Sequence, residues 1–85
     1  MYYVYIIQSK KDGRYYIGYT GNVEMRLKFH NEGRNISTRK RRPFRLVHTE
    51  KFSDKKEAMR REKKIKSYKG GNAFEQLIKN NGRVA

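Results

Sequence analysis

Glu62 is the residue whose position folding alone explains least. Ala58, Glu62 and Ile65 recur at helical spacing, so this carboxylate falls on the apolar stripe of its segment and not among the neighbouring lysines. A lone carboxylate on an inward face is costly unless an arginine or a divalent cation meets it, which leaves a structural salt bridge and a functional ligand both open. Arg26 and His30 stand four positions apart. On a helix that spacing puts them on neighbouring turns of one face, where they can act on one atom. Tyr5 and Tyr16 lie in two runs rich in β-branched and aromatic residues, and a hairpin between the runs lets the two phenols face each other. There is no cysteine, and the two histidines lack metal-ligand spacing, so a zinc centre is not expected.

These groups are remote along the chain, and the local signals say which elements must gather them. Residues 2–7 and 14–19 read as strands joined at Asp12-Gly13, where glycine supplies the positive φ of a tight turn. Thr20, Gly21 and Asn22 offer caps for a helix over residues 23–30, with Gly33 as its terminator. A polar, basic loop over residues 35–42 then feeds a third strand over residues 44–49. Ser53-Asp54 opens a second helix that runs through Lys66 and ends near Gly70-Gly71. Asn72 followed by Glu75 reads as a cap for a last helix in which Phe74, Leu77 and Ile78 share a face, and residues 80–85 read as frayed. The order β-β-α-β-α-α makes residues 1–85 one small α+β domain. Tyr2, Tyr15 and Tyr68 are read as packing residues, and His48 as structural or exposed.

Lys and Arg number 22 against 8 Asp and Glu, a formal charge of +14 on 85 residues. Such a field steers polyanions, so nucleic acid is the expected partner. Lys10, Lys11, Arg39, Lys40, Arg41, Arg42, Lys63 and Lys64 form the clusters expected to contact backbone phosphates, with salt-dependent affinity and little choice of sequence. No stretch approaches the roughly 20 apolar residues of a membrane span. The chain begins without a leader-like segment, and a cytoplasmic location is the default expectation.

Two strand tyrosines, an arginine ten positions after the second, a histidine four further on and a distant helical glutamate together resemble the GIY-YIG nuclease family. Tyr3-Val4-Tyr5 corresponds to its first half-motif, Tyr16-Ile17-Gly18 to its second, and Arg26, His30 and Glu62 to its remaining site residues. The short length, the run from Arg60 to Lys66 and the run from Gly70 to Phe74 are similar to small stand-alone bacterial members, akin to the nuclease domains of excision-repair and junction-cutting enzymes. The resemblance implies a three-stranded antiparallel sheet flanked by helices, and metal-dependent hydrolysis of DNA phosphodiester bonds, structure-selective and linked to repair or recombination.

It further implies that Glu62 holds Mg²⁺ or Mn²⁺ and that Arg26 donates to the phosphate as charge builds. Tyr16 deprotonates or orients the attacking water, Tyr5 positions that water or the phosphate, and His30 is a rival general base or a proton shuttle. Asn72 matches a late asparagine that helps shape the site, although it is equally a helix cap. Tyr3 stands where the family has glycine, and Tyr19 stands where some relatives place a lysine, so one phosphate contact is in doubt. Without the reading modules that larger members append, specificity is expected from nucleic-acid shape, self-association or a protein partner. A competing expectation is a non-catalytic module that binds DNA or RNA and keeps the fold, for which Glu62 would be dispensable.

Overall fold

In a computed structural model the chain is described over residues 1–84, with side chains through Lys79. Strands β1 (Tyr2–Ser9), β2 (Tyr15–Thr20) and β3 (Phe44–Phe52) form an antiparallel sheet in the order β2-β1-β3. Helices α1 (Val23–Asn31), α2 (Lys55–Lys66) and α3 (Asn72–Val84) complete the expected order of elements. Asp12 and Gly13 make the hairpin turn as the sequence predicts. The Asp12 carboxylate accepts from Arg14 N at 2.9 Å, and Gly13 takes φ 75°.

The two faces of β1 are buried against different partners. Val4 and Ile6 pack with Val47, Ala58, Ile65 and Phe74, with Leu77 and Ile78 beside them, so α2 and α3 cover that face. Tyr5 and Ile7 pack on the other face with Phe44, Tyr16, Val23 and Leu27, which brings α1 over it. Each fully buried aliphatic side chain contributes about 1.5–3 kcal/mol, so these few residues hold the sheet to its helices.

Caps fix where the site-bearing helices start. Asn22 Oδ1 accepts from Met25 N at 3.1 Å for α1, and Asp54 Oδ1 accepts from Lys56 N at 2.9 Å for α2. Gly33 takes φ 79° just beyond α1.

Several features differ from the sequence reading, and β1 itself runs on to Ser9. β3 continues through Phe52 because Glu50, Lys51 and Phe52 pair with Val4, Tyr3 and Tyr2, a continuation that two charged residues conceal. The basic loop contains a 3₁₀ turn at Arg39–Arg41. Asn72 is the first residue inside α3, so the cap position falls to Gly71, whose carbonyl accepts from Glu75 N at 3.1 Å. That helix runs to Val84, past the point where fraying was expected, and Ala85 lies outside the described residues.

Candidate active site

The register places Tyr5 opposite Gly18 and Tyr16 opposite Ile7. The two phenols are therefore diagonal neighbours on one face, with ring centroids 6.3 Å apart, and not a directly facing pair. Gly18 is what lets the Tyr5 ring lie down across β2. A Cβ there would fall 2.6 Å from the Tyr5 hydroxyl and 2.8 Å from its ring carbon. Tyr5 is 2% exposed, and its hydroxyl meets Nε2 of the fully buried His30 at 2.9 Å.

On the far side of the imidazole, Nδ1 lies 2.9 Å from Oγ1 of Thr38, which is also fully buried. Thr38 Oγ1 also lies 3.5 Å from the Asn35 carbonyl. In either neutral tautomer one ring nitrogen of His30 donates and the other accepts, so both are satisfied inside the protein. A hydrogen-bonded chain therefore runs from the phenol through the imidazole to the basic loop.

Charge follows from burial. Desolvation pushes the Tyr5 phenol above its ordinary value, Arg26 opposes that rise, and electrostatic interaction with Tyr16 and Glu62 reinforces it. Burial, helped by the Arg26 charge, pushes His30 down to about 4. At neutral pH the pair is an uncharged phenol and an uncharged imidazole. The Arg26 guanidinium stacks 4.3 Å from the centroid of the Phe29 ring, and the half-buried Tyr16 ring sits 4.8 Å from that of His30.

Glu62 lies on the inward stripe of α2 as its spacing predicts, with a side chain only 16% exposed. Its carboxylate meets Lys66 Nζ at 3.5 Å. Its ion pair is thus with Lys66, so a structural salt bridge is present, and among the described residues it makes none with Arg26. Nor do three or more His, Cys, Asp or Glu side chains converge there to form a metal cage. A single, largely buried carboxylate beside the cluster suits a hard cation that keeps most of its water, and does not suit a zinc-type cage.

The basic residues divide. Lys11, Arg39, Lys40 and Arg42 line one open groove. Arg41 is instead used by the fold, with Nε 3.4 Å from Asp12 and the guanidinium 5.7 Å from the centroid of the Phe44 ring. Lys10, Lys63, Lys64 and Asn72 are exposed. Tyr2 and Tyr68 pack against the core as read from the sequence, and so does Tyr19. Tyr15 differs, being 39% exposed and edge-on to Phe74 at 5.0 Å.

His48 is buried and bonds Glu50 at 2.7 Å, so it has a carboxylate partner. Burial favours a raised Glu50 pKa, yet bonds from His48 and Arg61 hold it at about 2, which marks a structural network. Thr38 is the site residue that sequence reasoning missed. It sits in a polar loop without periodicity, and its partner is brought to it only by the turn that closes the loop.

Comparison with known proteins agrees with this geometry. The model of the GIY-YIG catalytic domain matches residues 1–76. A UPF0213 protein of Staphylococcus haemolyticus is 52% identical over 68 residues, 79% of this chain and 82% of that one. Another, of Halobacterium salinarum, is 51% identical over 67 residues, 78% and 86% of the two chains. The solution NMR structure of a UPF0213 protein from Bacillus halodurans superimposes with a TM-score of 0.61 at 45% identity, covering 96% of this chain and 87% of that one. With its half-motif tyrosines packed around one histidine and the family model spanning nearly its whole length, the chain belongs to the GIY-YIG nuclease family.

Proposed function

We propose that this chain is a metal-dependent endonuclease that hydrolyses DNA phosphodiester bonds, selecting its substrate by shape in repair or recombination. The observation that carries the reading is the Tyr5–His30 bond of 2.9 Å, with Tyr16 packed on the same imidazole and Arg26 and Glu62 both acting on the Tyr5 hydroxyl. Family membership supports nuclease chemistry in general, and the metal, the DNA and the pathway are the proposal's own.

Glu62 is the group that would hold Mg²⁺ or Mn²⁺, and the bound cation would stabilise the negative charge on the leaving oxygen. Arg26 donates its planar fork to the non-bridging phosphate oxygens as their charge grows. His30 is fully buried and both of its nitrogens have partners inside the protein, so it holds Tyr5 in place and does not itself meet the attacking water. Tyr16, half-buried at the same cluster, is left to orient that water through its hydroxyl, with the water's proton passing to solvent.

Supercoiled plasmid and labelled linear and branched DNA, incubated with Mg²⁺ or Mn²⁺, test the reading. Glu62→Ala and Arg26→Ala are each expected to lower cleavage by about 10²-fold or more, with thermal melts that remain cooperative. Intact DNA under every metal and substrate would defeat it. So would full activity in Glu62→Ala, whereas intact DNA together with retained DNA binding would favour the non-catalytic module instead.

A further inference from the structure

We propose that the groove between the hairpin turn and the basic 3₁₀ turn is a dedicated phosphodiester-backbone subsite, which holds the nucleic-acid strand beside the bond that is cut. The inference rests on a nucleic-acid substrate but not on catalysis. The groove encloses about 690 Å³ and is lined by Lys11, Arg39, Lys40 and Arg42 together with Asn31 and Pro43. Among the described residues, none of these four cations has a carboxylate within ion-pair distance. The nearby acids are already used, Asp12 by Arg41 at 3.4 Å and Glu32 by Arg34 at 3.1 Å. Four like charges gathered without a counter-charge oppose folding, which points to an anion supplied from outside.

The groove is built and not merely crowded. Arg42 Nε donates to the Arg39 carbonyl at 2.7 Å, and its guanidinium lies close against Gly33, where a Cβ would come within 2.7 Å of Nη1. Lys11 Nζ donates to the Lys40 carbonyl at 3.2 Å, bridging the two turns. The Ser9 hydroxyl donates to the Arg41 carbonyl at 2.5 Å and accepts from Lys11 N and Asp12 N at 3.0 and 3.1 Å. Lys10 N donates to the Pro43 carbonyl at 2.7 Å. Asn31 clamps Phe44 from both sides, accepting from its N at 2.7 Å and donating to its carbonyl at 3.2 Å.

Position and chemistry choose the occupant. Thr38, which bonds His30, immediately precedes the Arg39–Arg41 turn, so the groove abuts the catalytic cluster. Two arginine forks beside two lysines match a run of phosphate oxygens, so we assign the subsite to the nucleic-acid backbone.

The test uses the full chain carrying Glu62→Gln, without added metal, so binding is read apart from cleavage. Arg39→Gln with Lys40→Gln removes two groove charges whose side chains make no bonds in the fold. Lys51→Gln with Lys55→Gln removes two exposed charges elsewhere as the control. Anisotropy of a fluorescein-labelled oligonucleotide across a salt series is expected to show at least about tenfold weaker binding for the groove pair. The slope of log affinity against log salt is expected to shrink by about 1.5–2, while the control changes affinity less than about threefold. Equal losses for the two pairs would overturn the proposal, as would equal competition by a polyglutamate peptide of the same charge. Loss of cleavage in the parent chain with this binding pattern intact would sink the nuclease reading and leave the subsite standing.

Discussion

The imidazole of His30 has its pKa held at about 4 by burial and by Arg26, against 6.5 when exposed. As pH falls the unfolded chain binds this proton first, so stability is unaffected above about 6.5 and drains away between there and about 4. The chain is expected to be roughly 2 kcal/mol less stable at pH 5 than at pH 7, measured by urea unfolding. Glu50 acts lower, losing its contribution as pH falls from 4.5 toward about 2. Thr38→Val leaves the buried Nδ1 of His30 without its hydrogen-bond partner, costing about 1–3 kcal/mol. It should also shift the His30 tautomer seen by ¹⁵N NMR and slow cleavage roughly tenfold or more, while Thr38→Ser restores both. At this scale the i,i+4 pair of Arg26 and His30 was legible because helical spacing alone sets it. Thr38 and the Gly18 seat for Tyr5 were not, because one depends on a closed loop and the other on cross-strand register.

Among the elements, α2 joins stability to chemistry. Ile65 anchors it in the core, and Glu62 lies on the same stripe one turn earlier. Ile65→Ala is expected to cost about 2–5 kcal/mol, and Asp54→Ala, which removes the cap bond to Lys56 N, about 1 kcal/mol, both read as lower melting temperatures. The inward placement of Glu62 was visible in the sequence because Ala58 and Ile65 flank it at helical intervals. The last three residues of β3 were not visible, since Glu50 and Lys51 break the apolar pattern while their backbones pair with β1. The 3₁₀ turn was hidden for a related reason. Its residues are all basic and none is buried, so no periodicity marks it.

At the scale of the molecule, a formal charge of +14 is set against a candidate site whose Tyr5 phenol and His30 imidazole are neutral. No helix among the described residues is long and apolar enough to cross a membrane, and the family supplies nucleic acid as the substrate class. Binding is expected to fall about a hundredfold between roughly 50 and 200 mM salt if about four phosphates are neutralised, an effect that filter binding or anisotropy can follow. The strand that crosses the middle of the sheet carries a further constraint. Even-numbered Val4 and Ile6 belong to the packing under α2 and α3, and odd-numbered Tyr5 and Ile7 belong to the face under α1 that carries the candidate site. Parity along eight residues therefore separates scaffold from reagent. A single inserted or deleted residue in that stretch would turn every residue beyond it onto the opposite face, so this segment can drift in composition far more easily than in length.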